Sequence, residues 1–145
     1  MNKLRFEDLL ERDGRLTYTN VGTSMLPLLR QGRDLFTVEK KGGERCRVGD
    51  VVLYRRPPDD YVLHRVVEVR PQDYVLLGDN CISREYGVRD ADILGVMSSF
   101  VRDGKEHRVD EPAYRAYTAF VINSAPVRII GKKILGKAKR LLHEI

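Results

Sequence analysis

Cysteine is scarce in this 145-residue chain: there are two, Cys46 and Cys81. Their spacing matches neither a zinc-ligand pattern nor a disulfide framework, so two free thiols in a reducing compartment are expected, with no metal or cofactor. Long apolar runs are missing too. No window approaches the ~18 consecutive apolar residues of a membrane span. The opening stretch "MNKLRFEDLLERDGR" alternates charge with apolar residues and lacks the continuous apolar core of a secretory signal. A cytoplasmic protein is the expectation. No repeat, low-complexity tract or linker divides the chain, so residues 1–145 read as one domain, long enough to bury a core without external support.

Acid is nearly absent from one region. The net charge is +5, yet from Arg128 onward "VRIIGKKILGKAKRLLHEI" sets Arg128, Lys132, Lys133, Lys137, Lys139 and Arg140 against Glu144 alone. Ile130, Ile134, Leu135, Ala138, Leu141, Leu142 and Ile145 recur at helical offsets, which makes a basic amphipathic helix. Such a helix either docks on its own domain with a solvated basic face or contacts an anionic membrane surface peripherally. Nucleic acid is not expected as a partner, because no recognition motif accompanies the charge.

What is abundant is short apolar runs between turn signals. Leu4, Phe6, Leu9 and Leu10 fall on one face of a short helix over 3–12, ended by Asp13-Gly14. "RLTYTNV", "DLFTVEK", "DVVLYRR", "YVLHRVVEV", "DYVLLG" and "ILGVMSSFV" then read as strands. The loops between them are too short for helical crossovers, so the pairing must be antiparallel. A mainly β fold is expected: a coiled, partly closed antiparallel sheet over residues 15–105. Residues 106–145 form a helical extension, with one helix near "EPAYRAYTAFVIN" and another at the basic tail.

Within that frame a few residues carry chemistry. In "VGTSMLPLL" a Gly-Thr-Ser turn holds the Ser24 hydroxyl between apolar anchors, where Gly22, Thr23 and Met25 frame backbone N–H groups suited to an oxyanion. A serine bonding its own turn is the commoner arrangement locally. In "YVLHRVVEV", alternation puts Val62, His64 and Val66 on one strand face. Desolvation there favours a neutral imidazole, able to accept a proton, although a core-edge histidine satisfied by a carbonyl reads the same way. His107 and His143 have no such setting. Asp79, in "LLGDNCIS", either orients an imidazole or caps a tight turn. Cys81 has no activating neighbour in sequence and reads as structural.

Taken in order, "GTSMLPLL", "GDVVLYRR", "VLHRVVEV", "LLGDN" and "DILGVM" resemble the successive boxes of the signal peptidase I and LexA-like serine peptidase superfamily, over about Val21 to Phe100. The resemblance implies a serine endopeptidase with Ser24 as nucleophile. The base position just before Arg-Val-Val is lysine in one branch and histidine in the other, so His64 implies the histidine branch. Asp79 falls on the Gly-Asp box as third member, with Glu85 and Asp92 behind it. Gly22 stands where many bacterial relatives use a serine to bind the oxyanion, which leaves that task to backbone donors, chiefly the Ser24 N–H. The resemblance also implies a peptide or protein substrate lying as an added strand on a sheet edge. Residues ahead of the Ser box read as neither a membrane anchor nor a helix-turn-helix domain, so neither familiar job of the superfamily is expected to transfer directly. A non-catalytic peptide-binding module on the same fold, or a membrane-surface accessory factor in peptide export or maturation, are the alternatives.

Overall fold

A computed structural model describes residues 5–143. Helix α1 (Phe6–Asp13) ends at Gly14, whose φ of 75° is left-handed and whose N–H bonds the Leu10 carbonyl at 2.8 Å. Leu10 is buried, and Phe6 packs edge-on against Tyr18 and Tyr61 with centroids 4.9 and 4.8 Å away. Leu4, expected on this face, lies outside the described residues.

Eight strands follow: β1 (Arg15–Thr19), β2 (Leu35–Lys40), β3 (Val51–Arg56), β4 (Asp60–Val69), β5 (Tyr74–Leu77), β6 (Glu85–Val88), β7 (Ile93–Arg102) and β8 (Lys105–Arg108). They form one antiparallel sheet in the order β1-β2-β7-β3-β4-β5-β6, with β8 added to the far end of β7. The protein is mainly β, as expected, but the sheet is not closed: among the described residues β1 and β6 do not pair. The six expected strands appear within a residue or two. Strands β6 and β8 were not anticipated, because "EYGV" and "KEHR" carry too little apolar pattern; pairing with longer neighbours makes them strands. The segment 105–108 therefore belongs to the sheet and not to the helical extension.

Three apolar clusters pack on the sheet. The largest joins Leu10, Leu29, Phe36, Val51, Leu53, Leu63, Met97 and Phe100, the second joins Val52, Tyr54, Val66, Tyr74, Leu76 and Ile93, and the smallest joins Leu77 to Ala125 and Ile129. Strand β3 therefore buries Val51, Val52, Leu53 and Tyr54 in succession, which is why "VVLY" is continuously apolar and not alternating. Gly95 lies where β7 runs between β2 and β3. A Cβ there would approach the Glu39 carbonyl to 2.9 Å.

The chain ends in one helix, α2 (Pro112–His143), of 32 residues. The two expected helices are thus continuous. Pro126 stands inside α2 on an exposed face. Tyr114, Val121, Ala125 and Ile129 bury one stripe of α2 against the domain, and past Ile129 no described residue of the helix is buried. Glu144 and Ile145, included in the expected tail, lie outside the described residues. No helix among the described residues is long and apolar enough to cross a membrane.

Leu53, 2% exposed and part of the largest cluster, sets a simple test of this arrangement. Leu53→Ala should lower the unfolding free energy by about 2–5 kcal/mol in denaturant titration, the range for a cavity of that size in a rigid core.

Candidate functional site

Strand β4 carries His64 and Arg65 in adjacent positions, and the pleat sends them to opposite faces. The consequence is a division between chemistry and support. On one face the His64 ring is 8% exposed, and burial holds its pKa below the usual value, aided by the nearby Arg56 cation. Its Nδ1 lies 3.3 Å from the Tyr54 hydroxyl. That hydroxyl donates to Glu85, whose carboxylate is held low chiefly by two bonds from Arg56, at 3.0 and 2.8 Å. Burial, reinforced by Glu85, pushes the Tyr54 phenol well above its usual range, so it stays protonated. With the Tyr54 proton spent on Glu85, its oxygen accepts from Nδ1–H. The imidazole is thereby a neutral tautomer with its lone pair on Nε2, where the nearest polar neighbour is Cys81 Sγ at 4.0 Å.

Across β4 from His64 stands Gly78, following the Arg65↔Leu77 pair. A Cβ at Gly78 would lie 3.1 Å from His64 Cδ2, 2.7 Å from the Ser24 carbonyl oxygen and 2.6 Å from Cys81 Sγ. Only a residue without a side chain lets these three groups converge. The Ser24 turn is pinned from both sides. Met25, Leu28 and Leu29 bury into the larger core, while Asn80 donates its N–H to the Ser24 carbonyl at 2.8 Å and its side-chain amide to the Thr23 carbonyl at 3.1 Å. Gly22, at φ 85°, gives the left-handed step that starts the turn.

Ser24 and His64 line one cavity of about 250 Å³ with Asn20, Val21, Arg56 and Tyr61. The half-buried Ser24 hydroxyl makes no hydrogen bond among the described residues, so it is free to point into that space. The N–H groups of Gly22, Thr23, Ser24 and Met25 likewise find no acceptor among the described residues. These are the donors an oxyanion needs. Met25 contributes no more than its N–H: its side chain is fully buried and acts as an anchor, not as a substrate contact.

The Asp79 carboxylate does not orient His64. It accepts from Arg65 Nε and a terminal nitrogen, both at 2.8 Å, and from the Tyr117 hydroxyl at 2.8 Å. Gly78 faces the His64 side, so alternation turns Asp79 to the Arg65 side. Among the three expected acids, Glu85 is the one joined to His64, through Tyr54. Asp92 accepts from the Arg89 N–H at 2.9 Å and caps its own short turn. Tyr54, Arg65, Gly78 and Asn80 were missed as site residues. All four sit in or beside the motif boxes, and the signal available was the Arg next to His64: a cation on a buried strand requires an acid.

Cys81 is not remote from the chemistry. Its Sγ lies 4.0 Å from His64 Nε2, and burial pushes the thiol pKa up. Among the described residues no group of three or more His, Cys, Asp or Glu side chains converges to hold a metal. Compared with protein-family models, curated proteins and solved structures, the chain gives no match.

The two acids separate in a stability measurement. Asp79→Ala strands a fully buried guanidinium and should cost about 3–5 kcal/mol in denaturant unfolding, whereas Glu85→Gln, on a partly solvated pair, should cost about 1 kcal/mol or less. Equal losses would contradict this assignment.

Proposed function

We propose that the protein is a serine endopeptidase of signal-peptidase-like type, acting on a peptide or protein substrate through Ser24 and His64. The observation that carries this reading is a free serine hydroxyl and a buried neutral imidazole lining one cavity. His64 Nε2 takes the Ser24 proton as Oγ attacks the scissile carbonyl. The free N–H groups of the turn, chiefly that of Ser24, receive the oxyanion. His64 then protonates the leaving amine, and water attacking the acyl-enzyme restores the hydroxyl. During the step in which His64 is cationic, the Tyr54–Glu85 couple keeps the ring in place and offsets its charge. An Asp in the usual triad position serves the same end.

The approach of a substrate peptide follows from the sheet. Among the described residues the outer edge of β1 pairs with no strand, and the Ser24 turn follows directly from β1 through Asn20 and Val21. An extended peptide added along such an edge gains main-chain hydrogen bonds while its scissile carbonyl reaches the cavity. The non-catalytic peptide-binding alternative uses the same edge and makes no use of the free hydroxyl.

A fluorophosphonate probe tests nucleophilicity without a known substrate. Wild-type protein should label at Ser24, Ser24→Ala should not label, and His64→Ala should label slower by a factor of about 100 to 10,000. Tyr54→Phe should also slow labelling, since Nδ1–H loses its acceptor. A wild type that binds peptides yet neither labels nor cleaves would establish the binding module instead.

The pH profile carries a defined sign. Burial lowers the folded-state His64 pKa below the usual ~6.5. The preference for the neutral ring therefore stabilises the fold fully above about pH 6.5 and is lost as pH falls through the lower folded value. Labelling should accordingly stay flat through pH 6.5 and decline only below it. A midpoint above 6.5 would show that His64 is not the desolvated base.

A further inference from the structure

Helix α2 has two faces with different fates. Tyr114, Val121, Ala125 and Ile129 dock on the domain. On the opposite side Phe120, Val127, Ile134 and Leu142 recur at intervals of seven, seven and eight residues and so stack along one line. These four are 68, 75, 62 and 71% exposed, and Ile130, Leu135 and Leu141 widen the stripe. From Phe120 to Leu142 it runs about 33 Å at 1.5 Å per residue. A patch of large apolar side chains that long is not ordinary surface and calls for a partner.

Charge identifies that partner. Residues 112–143 contain seven Lys or Arg and no Asp or Glu. Taking that +7 from the chain's net +5 leaves −2 on everything else, so the whole positive excess resides on this one helix. At 100° per residue Lys133, Lys137 and Arg140 border one side of the stripe and Lys139 borders the other, while Arg128 turns its guanidinium back to the Val121 carbonyl. Cations on both shoulders of an apolar line can extend their heads to anionic groups while their stems stay with the apolar face. A second copy of the same helix would bring seven more cations and no acid to pair them. A nucleic acid would leave the apolar line uncovered.

We infer that the outward face of α2, from Phe120 to Leu142, binds peripherally to an anionic lipid bilayer, lying in its interface and not crossing it. The helix is also tied to the candidate site: Lys132 Nζ bonds the Asn80 carbonyl and side-chain oxygens at 2.8 and 2.7 Å, and Asn80 holds the Ser24 carbonyl. The bilayer-facing element is therefore two hydrogen bonds from the Ser24 turn. This inference does not depend on the peptidase reading, because Ser24→Ala should bind membrane as the wild type does.

Co-sedimentation of the 145-residue chain with phosphatidylcholine vesicles, with and without phosphatidylserine, tests it. Binding should require phosphatidylserine and weaken as salt is raised. Replacing Lys133, Lys137 and Arg140 with Gln should weaken partition on the order of 100-fold. Val127→Asp with Ile134→Asp, at exposed positions that leave the docked face intact, should weaken it at least ~10-fold with unfolding midpoints unchanged. Three results would overturn the inference. They are equal binding to neutral vesicles, no loss in the Val127/Ile134 variant, or a dimer in sedimentation velocity that the same variant dissolves.

Discussion

The Arg65–Asp79 pair is the interaction on which the rest of the structure depends. Both side chains are fully withdrawn from solvent, and burying two charges is costly unless every donor and acceptor is met. Here they are met. Asp79 accepts three hydrogen bonds, and Arg65 also reaches the Gly49 carbonyl, Thr118 and Tyr114, with its guanidinium 5.7 Å from the Tyr114 and Tyr117 ring centroids. Burial works against the Arg65 charge, but these partners outweigh it and its pKa rises. One cation thus ties together β4, the turn after β5, the loop before β3 and the first turns of α2.

The next links follow from that anchor. Asp79 is held, so Asn80 beside it has a defined position and can fasten the Ser24 turn through its backbone and side chain. The Ser24 turn itself has little regular structure and is located by two constraints, Asn80 outside and the buried Met25 and Leu29 inside. Gly78, between Asp79 and the end of β5, allows the approach to His64. Support and chemistry thus meet at three consecutive residues.

The His64 face has a different electrostatic design. His64 is kept neutral by burial and by Arg56, while the compensating acid, Glu85, is held one hydroxyl away behind Tyr54. A carboxylate in direct contact would raise the imidazole pKa; one acting through a phenol fixes the ring with less effect on its basicity. The proposed base is therefore suited to accept a proton near neutral pH. Membrane contact, as inferred for α2, would bear on this assembly through Lys132 and Asn80.

Local chemistry accounts for what was legible in the residues alone. Six strands and the first helix follow from apolar period and turn residues, because those signals act over a few neighbours. Ser24 and His64 were singled out by the ordered resemblance of the boxes, since each short setting alone reads equally as a turn serine or a core-edge histidine. The partnerships of the acids were not legible: Asp79 falls on the Gly-Asp box by resemblance, yet its partner is decided by which face of β4 it meets, and Glu85 reaches His64 only because β6 pairs with β5. Strands β6 and β8, the continuity of α2 through Pro126 and the shared cavity likewise depend on contacts between segments distant in the chain. Sequence determined most of the elements and the candidate groups; only the packed sheet decided which groups face each other, since strand alternation and register, not proximity along the chain, set the neighbours of a buried charge.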